Sequence, residues 1–153
     1  IQTAALSNIE FLQDLVKNFG SSSIIFSIDV KKNFLGQQRI YSHANKMPLI
    51  NLNLDNSIKI AKEAGVGEIL INSVDLDGTL LGQDLNLIKY ISNQIDIPLI
   101  SLGGVGSIND IQQSFQAGAQ GVGVGSFFVF YGPHKAVLIT YPDKKTLKNL
   151  VKK

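Results

Sequence analysis

Residues 98–107, PLISLGGVGS, place a short apolar run directly before a glycine-rich turn and a serine. The apolar run predicts a strand that is buried on both faces. The pattern Ser107-x-x-Asp110 is typical of a helix start, and Gly118 is expected to end that helix. The same order of strand, turn and helix recurs along the chain, which indicates an α/β fold with a parallel sheet.

The other predicted elements follow from the same signals of apolar periodicity, capping residues and glycines. Ile1–Ala5 reads as the end of a strand, and a small hairpin is expected around Phe34, Ile40 and Tyr41. The remaining predicted strands are Ile24–Ile28, Glu68–Ser73 and Gly121–Val124. The remaining predicted helices are Ile9–Phe19 behind a Ser7-x-x-Glu10 capping box, Ile58–Ala64, one from Asp84 to Gln94, a short turn at Phe127–Tyr131, and a last helix capped by Asp143.

Two architectures fit this alternation, an open doubly wound sheet and a (β/α)8 barrel. A full barrel usually takes at least about 200 residues, whereas this chain has 153. Length alone therefore favours the open sheet, and the barrel is favoured only if the chain forms part of one. No linker divides the sequence, so we expect residues 1–153 to form a single domain.

Composition excludes several functional classes. The chain has 44% hydrophobic residues, a net charge of +2 and no cysteine. A charge this small argues against nucleic acid as a partner, and no apolar run approaches the roughly 18 residues of a membrane span. Without cysteine there is no disulfide frame and no thiol nucleophile. Six lysines and one aspartate give residues 135–153 a basic character, which we interpret as a solvated last helix. We expect a cytoplasmic protein.

Candidate functional residues follow the predicted strands, because ligands of parallel α/β folds bind at the carboxyl ends of the strands. We call this edge of the sheet the carboxyl rim. Two glycine turns, 103–106 and 123–126, could let backbone N–H groups approach a phosphate, although plain tight turns would look the same. The expected rim residues are Asp29, Asp75, Asp77, Gly78, Gly103, Gly104, Gly125 and Ser126.

The acidic residues each allow two interpretations. Asp29 is either a general acid or base at the pocket mouth, or a structural cap or salt-bridge partner of a nearby lysine. Asp75 and Asp77 either stabilise a turn or contact ligand hydroxyls. Glu68 begins a strand and therefore faces the opposite, amino-terminal edge. We predict no metal site, because histidines and carboxylates are not clustered at ligand spacing, and we interpret His43 as a surface or packing residue.

Residues 65–84, GVGEILINSVDLDGTLLGQD, resemble the sixth strand and following loop of the cyclase subunits of imidazole glycerol phosphate synthases. Similar matches in the expected order link 1–8, 27–31, 97–106 and 121–128 to the ends or bodies of the fourth, fifth, seventh and eighth strands. The resemblance implies the carboxyl-terminal half of a (β/α)8 barrel, with the amino-terminal half absent from this chain. It also implies that the native product is longer, unless two half-barrels form a homodimer.

The resemblance implies an ammonia-using synthase subunit. Ammonia from a partner glutaminase would pass through the barrel and react with a phosphorylated ribulosyl ribonucleotide, which is cleaved and cyclised in histidine biosynthesis. No cofactor is implied. Asp29 matches one of two catalytic aspartates, and the other has no counterpart here. Thr3 matches a residue near one substrate phosphate, and Gly104 and Ser126 match the site of the other. Asp75 and Asp77 match positions near the substrate, and Glu68 matches a gate for ammonia.

The chain departs from that pattern at three places. Leu102 stands where a serine is usual, and Gln2 stands where an asparagine is usual. Residues 127–142 instead look like a paralogous branch linked to surface-polysaccharide biosynthesis, which is thought to convert an acetamido sugar to an acetamidino sugar. Two other interpretations remain open: a barrel that binds flavin mononucleotide through the paired glycine turns, and a half-barrel that binds phosphate without cyclase activity.

Overall fold

The computed structural model describes residues 1–49 and 52–150, without the side chains of Thr3 and Ser7. A single 3-10 turn, Ser21–Ser23, connects the second helix to the first strand. The helices are α1 (Thr3–Ser7), α2 (Ile9–Phe19), α3 (Leu54–Ala64), α4 (Leu85–Ser92), α5 (Ile108–Gln116), α6 (Ser126–Val129) and α7 (Lys144–Leu150). The strands are β1 (Ile25–Lys32), β2 (Gln38–Ser42), β3 (Met47–Pro48), β4 (Glu68–Ser73), β5 (Leu99–Leu102), β6 (Gly121–Val122), β7 (Phe130–Tyr131) and β8 (Ala136–Val137).

The main sheet confirms the predicted α/β class. Its strands lie in the order β3-β2-β1-β4-β5-β6, and β1, β4, β5 and β6 are mutually parallel neighbours. These four strands lie side by side in the order in which the chain visits them. A doubly wound sheet reverses that order at a switch point, whereas a (β/α)8 barrel does not. The topology therefore matches consecutive strands of a barrel, and the sheet formed by the described residues is open.

The edge of β1 that faces away from β4 differs from two predictions, a strand end at Ile1–Ala5 and a first full strand that ends at Ile28. The amino group of Ile1 donates to the Ile25 carbonyl at 2.7 Å, and the Ser27 N–H donates to the Ile1 carbonyl at 2.8 Å. Ile1 thus has the pairing expected of a strand, but the chain turns into α1 at Thr3 instead of continuing as a strand to Ala5. Further along, β2 pairs antiparallel with the end of β1, which extends β1 to Lys32 and confirms the predicted hairpin.

The two faces of the sheet differ in burial. Alternate side chains of the parallel strands form the main core against α2, α3 and α4, with members including Phe26, Ile28, Ile69, Ile71 and Leu99. Each of these large apolar side chains contributes about 1.5–3 kcal/mol on burial. The other face, which would be the interior of a barrel, is only partly covered. Ile25 there is 38% exposed, and Leu70 and Ile100 are half-buried.

The helix starts mostly follow the predicted caps. The side chains of Asp84, Ser107 and Asp143 accept hydrogen bonds from the first turns of α4, α5 and α7, as expected. For α2 the predicted cap Ser7 is wrong. Ser7 ends α1, and the extended backbone of Asn8 lets its side chain accept from the Phe11 N–H at 3.0 Å. The third helix begins at Leu54, four residues before the predicted start.

The residues after β6 form a small unit that packs against α5. The predicted helical turn Phe127–Tyr131 is only partly right, since α6 covers Ser126–Val129 and the next residues form β7. Strand β7 pairs with β8 in an exposed hairpin, and α7 packs Leu150 against Val105 and Ile111. None of the helices within the described ranges is long and apolar enough to cross a membrane.

Candidate functional site

Asp29 lies near the carboxyl end of β1, on the partly covered face of the sheet, and is only 6% exposed. Its Oδ2 atom accepts a hydrogen bond from Gln2 Nε2 at 2.5 Å. The Nε2 atom of His43 lies 3.2 Å from the same oxygen. Gln2 precedes α1 and His43 follows β2, so the two elements at the free edge of β1 both bring a polar side chain to Asp29.

Asn72 contacts the carboxylate from the other side. It is the register partner of Asp29 on β4 and donates a side-chain hydrogen bond to it. Burial raises the pKa of Asp29 above its ordinary value of 3.8, and the negative charge of Asp77 acts in the same direction. The hydrogen bonds from Asn72 and Gln2 and the charge of His43 oppose this rise without cancelling it. Asp29 therefore keeps a proton to a higher pH than an exposed aspartate does.

The loop between β4 and α4, residues 74–84, covers the rim next to Asp29. Asp75 accepts a hydrogen bond from the Lys32 N–H at 2.6 Å, so its carboxylate holds the loop against the end of β1. Lys32 in turn forms an ion pair with the nearly buried Asp84, with Nζ 2.7 Å from Oδ2. Asp77 is an exposed residue of the same loop, and its negative charge raises the pKa of Asp29.

The first glycine turn is tightly packed beneath this loop. Gly103 and Gly104 have φ values of +96° and +98°, a backbone region that favours glycine. The Gly82 N–H donates to the Gly104 carbonyl at 2.8 Å. A Cβ atom on Gly104 would lie 2.1 Å from the Gly82 carbonyl oxygen, and one on Gly103 would lie 2.7 Å from that of Ser73. Packing alone therefore requires glycine at both positions, whether or not an anion binds.

The second glycine turn has a different character. A Cβ atom on Gly125 would meet nothing within 4 Å. Ser126, which begins α6, lies beside the covering loop, because a Cβ atom on Gly78 would be 3.6 Å from its Oγ atom. The structure thus brings Gly78, Gly104 and Ser126 to one side of the rim, and leaves open space at Gly125.

Two predicted residues lie elsewhere. Glu68 begins β4 at the amino-terminal edge of the sheet, opposite Ile25 of β1 and away from Asp29. Thr3 begins α1, which follows the segment paired with β1, and the prediction for its side chain lies outside the described side chains. Within the described ranges, no group of three or more histidines, aspartates or glutamates could hold a metal ion.

Three contacts of Asp29 were not assigned to the site from the sequence: Gln2, His43 and Asn72. The last could have been found, because any two adjacent parallel strands of equal length bring their carboxyl ends together. His43 depends on the antiparallel register of Val30 with Ile40, which no local pattern encodes. The resulting arrangement is one buried carboxylic acid held by neutral donors and one imidazole, which suits proton transfer to a bound ligand.

Comparison with known proteins identifies one matching family and several similar proteins. The family model described as "Histidine biosynthesis protein" matches residues 1–134. A Pseudomonas aeruginosa protein, provisionally named imidazole glycerol phosphate synthase subunit hisF2, is 39% identical over 148 residues, which are 96% of this chain and 59% of that protein. A similarly named Leptospira borgpetersenii protein is 37% identical over 151 residues, or 96% of this chain and 59% of the relative.

A Dictyoglomus thermophilum protein named imidazole glycerol phosphate synthase subunit HisF is 34% identical over 130 residues. The match covers 85% of this chain and 51% of that protein. The chain therefore spans between half and three-fifths of the length of these curated relatives. The similarity extends over β1, β4, β5 and β6, and so includes the whole carboxyl rim described above.

Proposed function

This chain belongs to the histidine biosynthesis protein family, and we propose that it supplies the carboxyl-terminal half of an ammonia-using synthase with a (β/α)8 barrel. The partly covered face of the sheet supports this proposal, because Ile25, Leu70 and Ile100 would be buried inside a closed barrel. In the proposed protein, the other half of the barrel covers that face and completes the rim around Asp29.

The observation that carries the proposal is the buried Asp29 carboxyl with its raised pKa on the interior face of the rim. A carboxyl group whose pKa is raised keeps its proton to a higher pH than an ordinary aspartate, and it can therefore act both as an acid and as a base. Its hydrogen bonds to Gln2 and Asn72 fix the position of its oxygens. Such fixed positions are what a proton donor to a bound substrate requires.

In the proposed reaction, ammonia adds to the carbonyl carbon of a phosphorylated ribulosyl ribonucleotide, and the carbonyl oxygen must be protonated to leave as water. Asp29 in its protonated form donates such a proton and, once ionised, accepts one as the imidazole ring closes and the substrate is cleaved. The relatives from Pseudomonas, Leptospira and Dictyoglomus carry names that refer to imidazole glycerol phosphate synthase. Those names support the choice of substrate.

The substrate phosphate is proposed to bind between Gly104, Gly125 and Ser126. Support comes from the open space at Gly125 and from the position of Ser126 next to the loop that carries Gly78. The Ser126 hydroxyl and the backbone N–H groups of this turn are neutral donors, which suit a phosphate oxygen. Thr3 is proposed near the second phosphate, and Asp75 holds the loop that carries Asp77 towards the substrate.

Asp29→Asn in the full-length natural protein tests the proposed acid–base role. We expect the ammonium-driven turnover number to fall by about 100- to 10,000-fold, the usual contribution of a general acid or base. The asparagine keeps the size and hydrogen-bonding ability of the side chain but cannot take up or release a proton. The measurement is steady-state turnover of the ribonucleotide with ammonium salt as the nitrogen source.

Asp14→Asn is the matched control, because Asp14 is an exposed aspartate on α2, away from the rim. It should leave turnover within about twofold of the unmodified protein, as surface substitutions usually do. Turnover by Asp29→Asn equal to that of this control would refute the proposed function.

We further propose that a partner glutaminase delivers ammonia at the amino-terminal edge, past Glu68. The position of Glu68 at the first residue of β4, at the end of the sheet opposite Asp29, supports this route. In Glu68→Gln, glutamine-driven turnover should fall at least about tenfold relative to ammonium-driven turnover, which bypasses the partner. Equal losses with both nitrogen sources would remove the gate from the proposal and leave the role of Asp29 intact.

A second candidate substrate is an acetamido sugar, converted by ammonia to an acetamidino sugar. The end of the chain favours it, because residues of α6, β7 and α7 and of the segment 140–142 line an open cavity of about 430 Å³. Its aromatic walls could stack on a sugar ring, and they consist of Phe127, Phe128, Phe130, Tyr131 and Tyr141. Incubation with ammonium and each substrate class separates the candidates. Exchange of the sugar's amide oxygen for NH in the product's mass, together with no ribonucleotide turnover, would favour the sugar.

A further inference from the structure

His43 lies in the turn between β2 and β3, and it is held towards Asp29 by its neighbours. Ser42 is fully buried, and its hydroxyl accepts a hydrogen bond from the Asn45 N–H at 3.2 Å, which fixes the turn. The ring of Tyr41 packs edge-on against the imidazole, with centroids 5.0 Å apart. These contacts keep His43 Nε2 at 3.2 Å from Asp29 Oδ2.

The two members of this pair differ in their access to solvent. The side chain of Asp29 is 8% exposed, whereas that of His43 is 58% exposed. One imidazole nitrogen faces the carboxylate, and the geometry of the five-membered ring directs the other, Nδ1, away from it. The imidazole therefore spans the distance between a buried acid and the outside of the rim.

We propose that His43 is a positioning residue that exchanges the proton of Asp29 with solvent between turnovers. The proposal rests on the proposed acid–base function of Asp29 and adds a second residue to it. A buried acid that gives up or gains a net proton during turnover must be reset through some group that reaches water. Within the described ranges, His43 is the histidine that contacts Asp29.

The proposed exchange moves one proton from Asp29 to water through the two nitrogens of His43. Protonated Asp29 transfers its proton to Nε2 of a neutral His43, which leaves a carboxylate beside an imidazolium. The imidazolium then releases its Nδ1 proton to water, and a neutral ring remains that donates through Nε2–H to the carboxylate. The reverse sequence takes a proton from water at Nδ1 and returns the Nε2 proton to Asp29. No oxidant, reductant or further reactant is needed.

The surrounding charges bear on this exchange. Asp77, on the loop after β4, carries a negative charge that raises the pKa of Asp29. Lys31 on β1 extends over the ring of Tyr41 on β2, with Nζ 5.2 Å from its centroid, and so places a positive charge on the ring that packs against the imidazole. The charge of His43 lowers the pKa of Asp29 against the larger effect of burial. Removal of the imidazole should therefore raise that pKa further.

A titration of Asp29 tests the pairing without any turnover. The carboxyl carbon of Asp29 in the isotope-labelled full-length protein is followed by NMR against pH, in the unmodified protein and in His43→Gln. Glutamine can still donate a hydrogen bond but carries no charge, so we expect the pKa of Asp29 to rise in this variant. His134→Gln, in the exposed β7–β8 turn, should leave the pKa of Asp29 unchanged, because His134 is not among the groups that shift it. An unchanged pKa in His43→Gln would overturn the proposal.

Chemical rescue tests the exchange itself. His43→Ala should lower turnover at neutral pH on the order of 100-fold, and free imidazole in the buffer should restore much of it in proportion to its concentration. His43→Phe, which keeps a ring against Tyr41 and leaves no space for imidazole, should not be rescued. A loss in His43→Ala that imidazole does not restore would show a structural role only and overturn the exchange. If instead Asp29→Asn were fully active, the proposed function would fail while the titration still judged the pairing.

Discussion

The two sides of the carboxyl rim differ in composition, since one consists of polar side chains and the other of glycine backbone. On the side of β1 and β4, the buried side chains of Asp29 and Asn72 face each other and are held by Gln2 and His43. On the side of β5 and β6, the rim consists of glycine backbone on which the loop 74–84 is packed. The first side can change its charge, and the second side cannot. Substitutions should therefore affect chemistry on one side and folding on the other.

The largest effect should come from the glycine side. Gly104→Ala places a Cβ atom 2.1 Å from the Gly82 carbonyl oxygen at a φ of +98°. The backbone of both turns must shift, and the Gly82–Gly104 hydrogen bond is lost. We expect the free energy of unfolding to fall by about 4 kcal/mol, at the upper end of single-residue effects. Urea denaturation followed by circular dichroism measures the change.

Gly125→Ala is the control on the same side of the rim. Its φ is −106°, and an added Cβ atom meets nothing within 4 Å. Stability should change by less than about 0.5 kcal/mol. If Gly125→Ala destabilised the protein as much as Gly104→Ala, the difference between a packed turn and an open turn would be refuted. A stable Gly125→Ala with weaker binding of inorganic phosphate would instead strengthen the proposed phosphate site.

An intermediate effect is expected where the loop 74–84 joins the two sides. Asp84 caps α4 through the Leu87 N–H and forms an ion pair with Lys32 at 2.7 Å. Asp84→Ala removes both and should cost about 2 kcal/mol, of which about 1 kcal/mol is the cap and the rest the ion pair. Thermal unfolding at low and high salt measures it, because salt screens the ion pair and leaves the cap.

Asp84→Asn separates the two contributions of Asp84. Asparagine caps helices about as well as aspartate, so this variant should lose less than about 1 kcal/mol. Its stability should also depend less on salt than that of the unmodified protein. A loss in Asp84→Asn as large as in Asp84→Ala would mean that the ion pair, and not the cap, is what connects α4 to β1.

Local signals in the sequence predicted much of the fold. The apolar run Glu68–Ser73 corresponds to β4 residue for residue, because a strand inside a parallel sheet leaves a nearly continuous hydrophobic pattern. Asp84, Ser107 and Asp143 were predicted as caps because a capping side chain acts within three residues. The failure at Ser7 has the same local origin. Serine and Asn8 both offer a capping oxygen, and only the extended backbone of Asn8 decides between them.

The site was less predictable because its contacts are not local. Asp29 was expected at the rim from its place after an apolar run, and chain order was sufficient for that. The approach of His43 depends on a hairpin that folds back along β1, and the contact of Gln2 depends on α1 turning away after Ile1. The close packing of Gly104 against Gly82 joins two loops more than 20 residues apart, and no local pattern reveals it. From the sequence, the glycine at position 104 was therefore interpreted as leaving space for an anion.

The smallest effect on stability should come from the chemical side and should have the opposite sign. In the folded protein the pKa of Asp29 lies above its ordinary value of 3.8, mainly because burial disfavours the charged form. The stability that this group contributes is therefore fully present below pH 3.8 and is lost as the pH rises through the raised pKa. Asp29→Asn cannot ionise and escapes that loss.

Asp29→Asn should thus unfold at a higher temperature than the unmodified protein at pH 7, by less than Asp84→Ala lowers it. This difference in unfolding temperature, called the gap below, should narrow as the pH falls towards 4, because the unmodified carboxyl then regains its proton. Thermal melts at half-unit steps of pH measure the gap, with Asp14→Asn as the exposed control that should show no such trend. A gap that is constant with pH would mean that Asp29 ionises in the folded protein as an ordinary carboxylate does. The side of the rim that carries Asp29 would then be distinguished only by its position. A gap that closes in acid would show instead that the fold is less stable at neutral pH because it buries a carboxyl group that can transfer a proton.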